Sequence, residues 1–152
     1  MSVRKEIYEI LSNKLNTLNY FQIIDIYKGQ FNDENANNIN VFPAVYISIG
    51  NISYEEAVLD FVEGVAQVDV FVFFKKFEDT SVGANNQADS LAILSIMDTI
   101  VDELQGSYGS FFTELSQVSE EDLSFTYGKP VFKVSFSTNI IKKVEGVNYI
   151  LN

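Results

Sequence analysis

The chain has 152 residues, of which 47% are hydrophobic, and a formal net charge of -11. That length suits one domain, 1-152, with a shared core, and the apolar content excludes a disordered chain. Cysteine and histidine are both absent, which excludes disulfides, thiolate catalysis and cysteine zinc sites, and removes the commonest general base and transition-metal ligand.

In chain order, Ser2 is placed to cap a helix over 2–17, in which Val3, Ile7, Ile10, Leu11, Leu15 and Leu18 recur at three- and four-residue steps. This N-terminus opens on an amphipathic pattern, not on the unbroken apolar run of a secretory signal, and no later segment approaches membrane-span length. Tyr20 to Tyr27 is β-branched and aromatic and ends at Gly29, which predicts a strand. The polar, aperiodic stretch Asn32 to Asn38 predicts an exposed loop. After Phe42-Pro43, the alternation of Val45, Ile47 and Ile49 predicts a strand buried on one side.

Glu55, Glu56 and Asp60 read as a link to Gly64, and the next strand carries the clearest alternation in the chain. Val68, Val70, Val72 and Phe74 form its core face, while Gln67, Asp69, Phe71 and Phe73 form the other. If nothing covers Phe71 and Phe73, they make an interaction patch beside Lys75-Lys76. A helix over 87–104 follows, with Leu91, Leu94, Met97, Ile100, Val101 and Leu104 inward. Phe111 to Leu115 reads as a short helix or turn, Leu123 to Tyr127 as a short strand, and Val131 to Thr138 as a strand with Phe132, Val134 and Phe136 on its apolar face. The fold class is therefore α+β. The expected architecture is a mostly antiparallel sheet of about four to five strands, consecutive strands joined by short links pairing antiparallel, with two main helices packed on one face.

Charge is segregated along the sequence. Seven acids and no base lie between Gly29 and Phe74, and ten acids and no base between Phe77 and Gly128. Bases are confined to Arg4, Lys5, Lys14, Lys28, Lys75, Lys76, Lys129, Lys133, Lys142 and Lys143. No basic groove for tracking phosphates is apparent, so specific nucleic-acid binding is not expected. Nucleotide-binding glycine loops, hydrolase elbows and calcium loops are missing. Three carboxylate clusters are the candidates for acid/base or metal sites. Glu55-Glu56 lies in the predicted link, and Asp98 with Asp102 suits a solvated helix face better. Ser119 before Glu120-Glu121-Asp122 suits a helix N-cap. Neither catalytic, metal nor cofactor residues are assigned. The residues expected at an oligomer or partner interface are Phe71, Phe73, Lys75, Lys76, Glu55, Glu56, Lys133, Lys142 and Lys143.

The order of elements resembles the tail terminator proteins of long-tailed bacteriophages, the minor tail protein U-like family. The likeness rests on the N-terminal helix, the proline-led strand Phe42 to Gly50, the long strand Gly64 to Phe74, the helix Gln87 to Leu104 and the closing strand Val131 to Ser137. It implies a non-enzymatic structural protein in the virion tail, assembled in the host cytoplasm as a homo-hexameric ring. Such a ring caps the tail tube protein and offers a surface to a head-completion or connector protein. Segregated acidic and basic stretches can supply the two complementary patches a ring needs. Another head–tail neck or tail-tube subunit and a monomeric adaptor remain as alternatives, and an enzyme using paired carboxylates as a more distant one.

Overall fold

The computed structural model describes residues 2–30, 41–58, 61–76, 81–83 and 87–143, apart from the side chains of 56–58, 87, 89–90 and 143. The Asn-rich stretch expected as a loop lies outside them. The elements are α1 (Val3–Asn16), β1 (Ile23–Ile26), β2 (Ala44–Val58), β3 (Phe61–Phe73), α2 (Gln87–Leu104), β4 (Ser116–Asp122), α3 (Ser124–Tyr127) and β5 (Val131–Lys143). The strands make one five-stranded sheet in the order β1-β2-β3-β5-β4.

The first helix forms where its periodicity and cap place it. The Lys5 backbone N–H donates to Ser2 Oγ at 3.1 Å, and Val3, Ile7, Leu11 and Leu15 are buried. Arg4 then ties the helix start to the sheet, its guanidinium donating to the Ile49 and Gly50 carbonyls at 2.5 and 2.8 Å. These carbonyls sit where the β2–β3 ladder slips between Ile49 and Ile52.

The helices cover one sheet face. Ile7, Leu11 and Leu15 of α1 and Met97, Ile100 and Leu104 of α2 join Val45, Ile47, Val68, Val70, Val72, Val134 and Phe136 in one buried cluster. Val68, Val70, Val72 and Phe74 thus occupy the core face that their alternation assigns them. Leu91 and Leu94, expected inward, are 39% and 47% exposed.

β1 pairs parallel to β2, Ile23 beside Ala44 through Ile26 beside Ile47; the 27–43 connection is long enough for the crossover that a parallel pair requires. Three local expectations are corrected. First, Glu55 and Glu56 belong to β2 and not to a link, because the ladder continues to Val58 opposite Phe61. Second, Ser119 caps no helix. It lies in β4, an edge strand paired with β5, where Glu121 stands opposite Lys133. Third, 124–127 is the short helix α3: the Ser124 N–H donates to Asp122 Oδ1 at 2.9 Å, and Gly128, at φ 68, ends the turn in the left-handed region. The 111–115 tract buries Phe112 and Leu115 and bridges Phe112 to Ile140.

Candidate interaction surfaces

On the face away from α1 and α2, alternation along β3 projects Phe61, Glu63, Val65, Gln67, Asp69, Phe71 and Phe73. The register sets them beside odd-numbered residues of β5 from Lys143 to Val131. One end of this face, where β3 finishes and β5 begins, is aromatic. Phe73 is fully buried there with Ala44, Tyr46 and Val131, and Leu123 and Tyr127 pack over this cluster from α3 and its start. Ring centroids of Tyr46 and Tyr127 both lie 5.8 Å from Phe73. The condition for an exposed patch is therefore not met at Phe73: α3 and its flanks cover it, and Phe71 is half-buried, 5.7 Å from Tyr27 with Lys133 Nζ 5.8 Å from its centroid. Lys133 also approaches Glu121 at 3.7 Å.

The middle of the face is polar. Asp69 Oδ1 accepts from Ser135 Oγ at 2.6 Å and from Gln67 Nε2 at 2.9 Å.

The aromatic end is also where bases gather. Lys75 and Lys76 are exposed just past β3, and they border a concavity of about 510 Å3 walled by Tyr20, Phe42, Phe74 and Ile93. Lys129 Nζ lies 5.4 Å from the Phe42 ring centroid. Lys76 and Lys129 share a smaller cleft with Ser124, the first residue of α3. From that helix Phe125 projects fully into solvent. Burial raises the Tyr20 hydroxyl above its ordinary value of 10.0.

The opposite end of the sheet is acidic on the same face. Glu55 pairs across the ladder with Glu63, and Glu63 with Ile141. Among the described residues no ion pair engages either glutamate. Together with Ser53, Val65, Thr113 and Asn139 they line a concavity of about 480 Å3, in which Val65 and Ile141 are 56% and 45% exposed. Lys142 stands two residues from buried Ile140 and so shares the helix-side face. It lies across Val62 from Glu56. Lys143 pairs with Phe61 at the same end.

Of the expected interface residues, Glu55, Glu56, Lys142 and Lys143 are thus brought to one end, Lys75 and Lys76 to the other, and Lys133 to the aromatic part between them. The sequence reading missed Phe125, Val65, Glu63 and Ile141. Phe61, Glu63 and Val65 already alternate in the sequence, and Asp122-x-Ser124 with Gly128 marks the turn that presents Phe125.

Asp98 and Asp102 are exposed on α2. Among the described residues no group of three or more acids is arranged to hold a metal ion, and no helix is long and apolar enough to cross a membrane. No protein-family model matches the chain, and no curated protein matches it.

Proposed function

We propose that this chain is a structural subunit that assembles with copies of itself, as a ring that caps a phage tail tube and offers a joining surface to the head. The observation that carries the reading is the two-ended sheet face. Lys75, Lys76 and the exposed Phe125 lie at one end, the Glu55–Glu63 pair with exposed Val65 and Ile141 at the other, and about 33 Å of strand runs from Glu63 to Phe73 between them. Two different patches on one subunit suit a heterologous contact, which propagates in one direction until it closes. A face used on itself across a two-fold axis needs no such opposition.

The resemblance to tail terminators supplies the biological setting. On this reading the partners are other copies of the chain, the tail tube protein and a head-completion or connector protein. The chain acts by shape and charge, without a cofactor. Electron microscopy of the purified protein mixed with tail tubes tests it: density confined to tube ends is the expected result. Stacking along the tube indicates a tube or neck subunit instead, and bare tubes count against both.

A further inference from the structure

The most anomalous side chain on the surface is Phe125, fully exposed on a single-turn helix. It is not loosely held. Neighbouring Tyr127 packs on buried Phe73, the Leu123 N–H donates to the Val131 carbonyl at 2.8 Å, and Gly128 closes the turn. The ring is therefore presented on a braced support, with the entropy of ordering its backbone already met by folding. Lys76 and Lys129 border the cleft at the helix start. Of the acids that precede the turn, Glu121 approaches Lys133 and Asp122 accepts from the Ser124 N–H.

The acidic end offers the opposite chemistry. Glu55 and Glu63 stand directly opposite each other, an arrangement that destabilises a sheet unless a cation comes between them. Exposed Val65 and Ile141 give the same concavity an apolar floor. At about 480 Å3 it falls within the size range of pockets that enclose small molecules, ample for a phenyl ring with a lysine stem beside it.

We infer that the Phe125 turn of one copy of this chain docks in the Glu55–Glu63 groove of a second copy, with Lys76 and Lys129 turned toward the two glutamates. The inference deepens the self-assembly proposed above and rests on it. Phe125 serves as the buried anchor and the charges fix polarity and register. Because the turn and the groove lie at opposite ends of one face, each copy uses one of each, and the contact runs head to tail.

The test uses the full chain and follows mass in solution for wild type, Phe125→Ser, Val65→Asp and Glu63→Lys, each first checked for wild-type-like melting. Because Val65→Asp places a charge in a strand, Glu63→Lys serves as the second groove variant. The expected result is that every single variant weakens assembly about tenfold or more. An equimolar mixture of Phe125→Ser with either groove variant then forms a heterodimer, since one intact turn meets one intact groove. Wild type that assembles while Phe125→Ser assembles equally well overturns the docking and leaves self-assembly standing. Wild type that stays monomeric at about 1 mM, roughly the weak limit of specific association, overturns both.

Discussion

Glu55 stands directly opposite Glu63 in the β2–β3 ladder, on the sheet face that the two long helices leave open. Like charges so placed oppose folding of the lone subunit, so neutralising one should help it. Glu63→Gln is expected to stabilise the monomer by roughly 0.2–1 kcal/mol, read as a higher urea midpoint with an unchanged denaturant slope. The gain should shrink in molar salt. A destabilised Glu63→Gln would show that the pair is favourable within one chain.

Phe73 and Phe125 separate packing from presentation. Phe73→Ala removes a fully buried ring and is expected to cost about 3–5 kcal/mol. For a chain of this size that corresponds to a fall in melting temperature of about 6–20 °C. Phe125→Ser, at a fully exposed position, is expected to change stability by no more than about 0.5 kcal/mol. Thermal melts of the two variants side by side check the contrast.

Gly64 is required by a close approach and not by a turn. A Cβ there would lie 2.8 Å from the Ser53 carbonyl oxygen and 2.9 Å from Tyr54 Cδ1. Gly64→Ala is expected to destabilise by about 1–3 kcal/mol. Trimming the ring in Gly64→Ala/Tyr54→Ala should not restore stability, because the carbonyl remains. Full recovery in the double variant would assign the clash to the ring alone.

The tyrosines set the alkaline limit. Burial holds the Tyr46 hydroxyl above its ordinary value of 10.0, with the Asp25 carboxylate adding to the effect. Burial and Asp25 likewise raise Tyr8, with Lys28 acting in opposition. The folded chain therefore holds these protons more tightly than the unfolded chain does. The associated stability is present below about pH 10 and is lost as pH rises through the folded values. Urea midpoints measured from pH 8 to 11 should fall above about pH 10, and the fall should be shallower in Tyr46→Phe.

Particular residues explain what the sequence disclosed. The core stripes of α1 and of β3 from Val68 to Phe74 were legible because one periodicity and one burial direction agree along each. The outer half of the β2–β3 hairpin was not, since Glu55 and Glu56 on a solvent-facing strand look the same as a polar link. Ser119-Glu120-Glu121-Asp122 carries the local signature of a helix start, yet pairing with β5 decides it as a strand. Phe71 and Phe73 were picked out by alternation alone, and only the tertiary position of Tyr127 reveals that Phe73 is covered. Lys75 and Lys76 fall at the opposite end of the sheet from Glu55, a separation that depends on the length of β3 and so follows from the fold.

Self-assembly through opposite charges at the two ends of the sheet is the proposal on which the rest depends. Native mass measurement of the wild-type chain across concentration, at low and at molar salt, tests it most directly. A closed multiple of the 17.1 kDa subunit at low salt that dissociates as salt rises is the expected result. A single 17.1 kDa species at every concentration, or an assembly indifferent to molar salt, would contradict it.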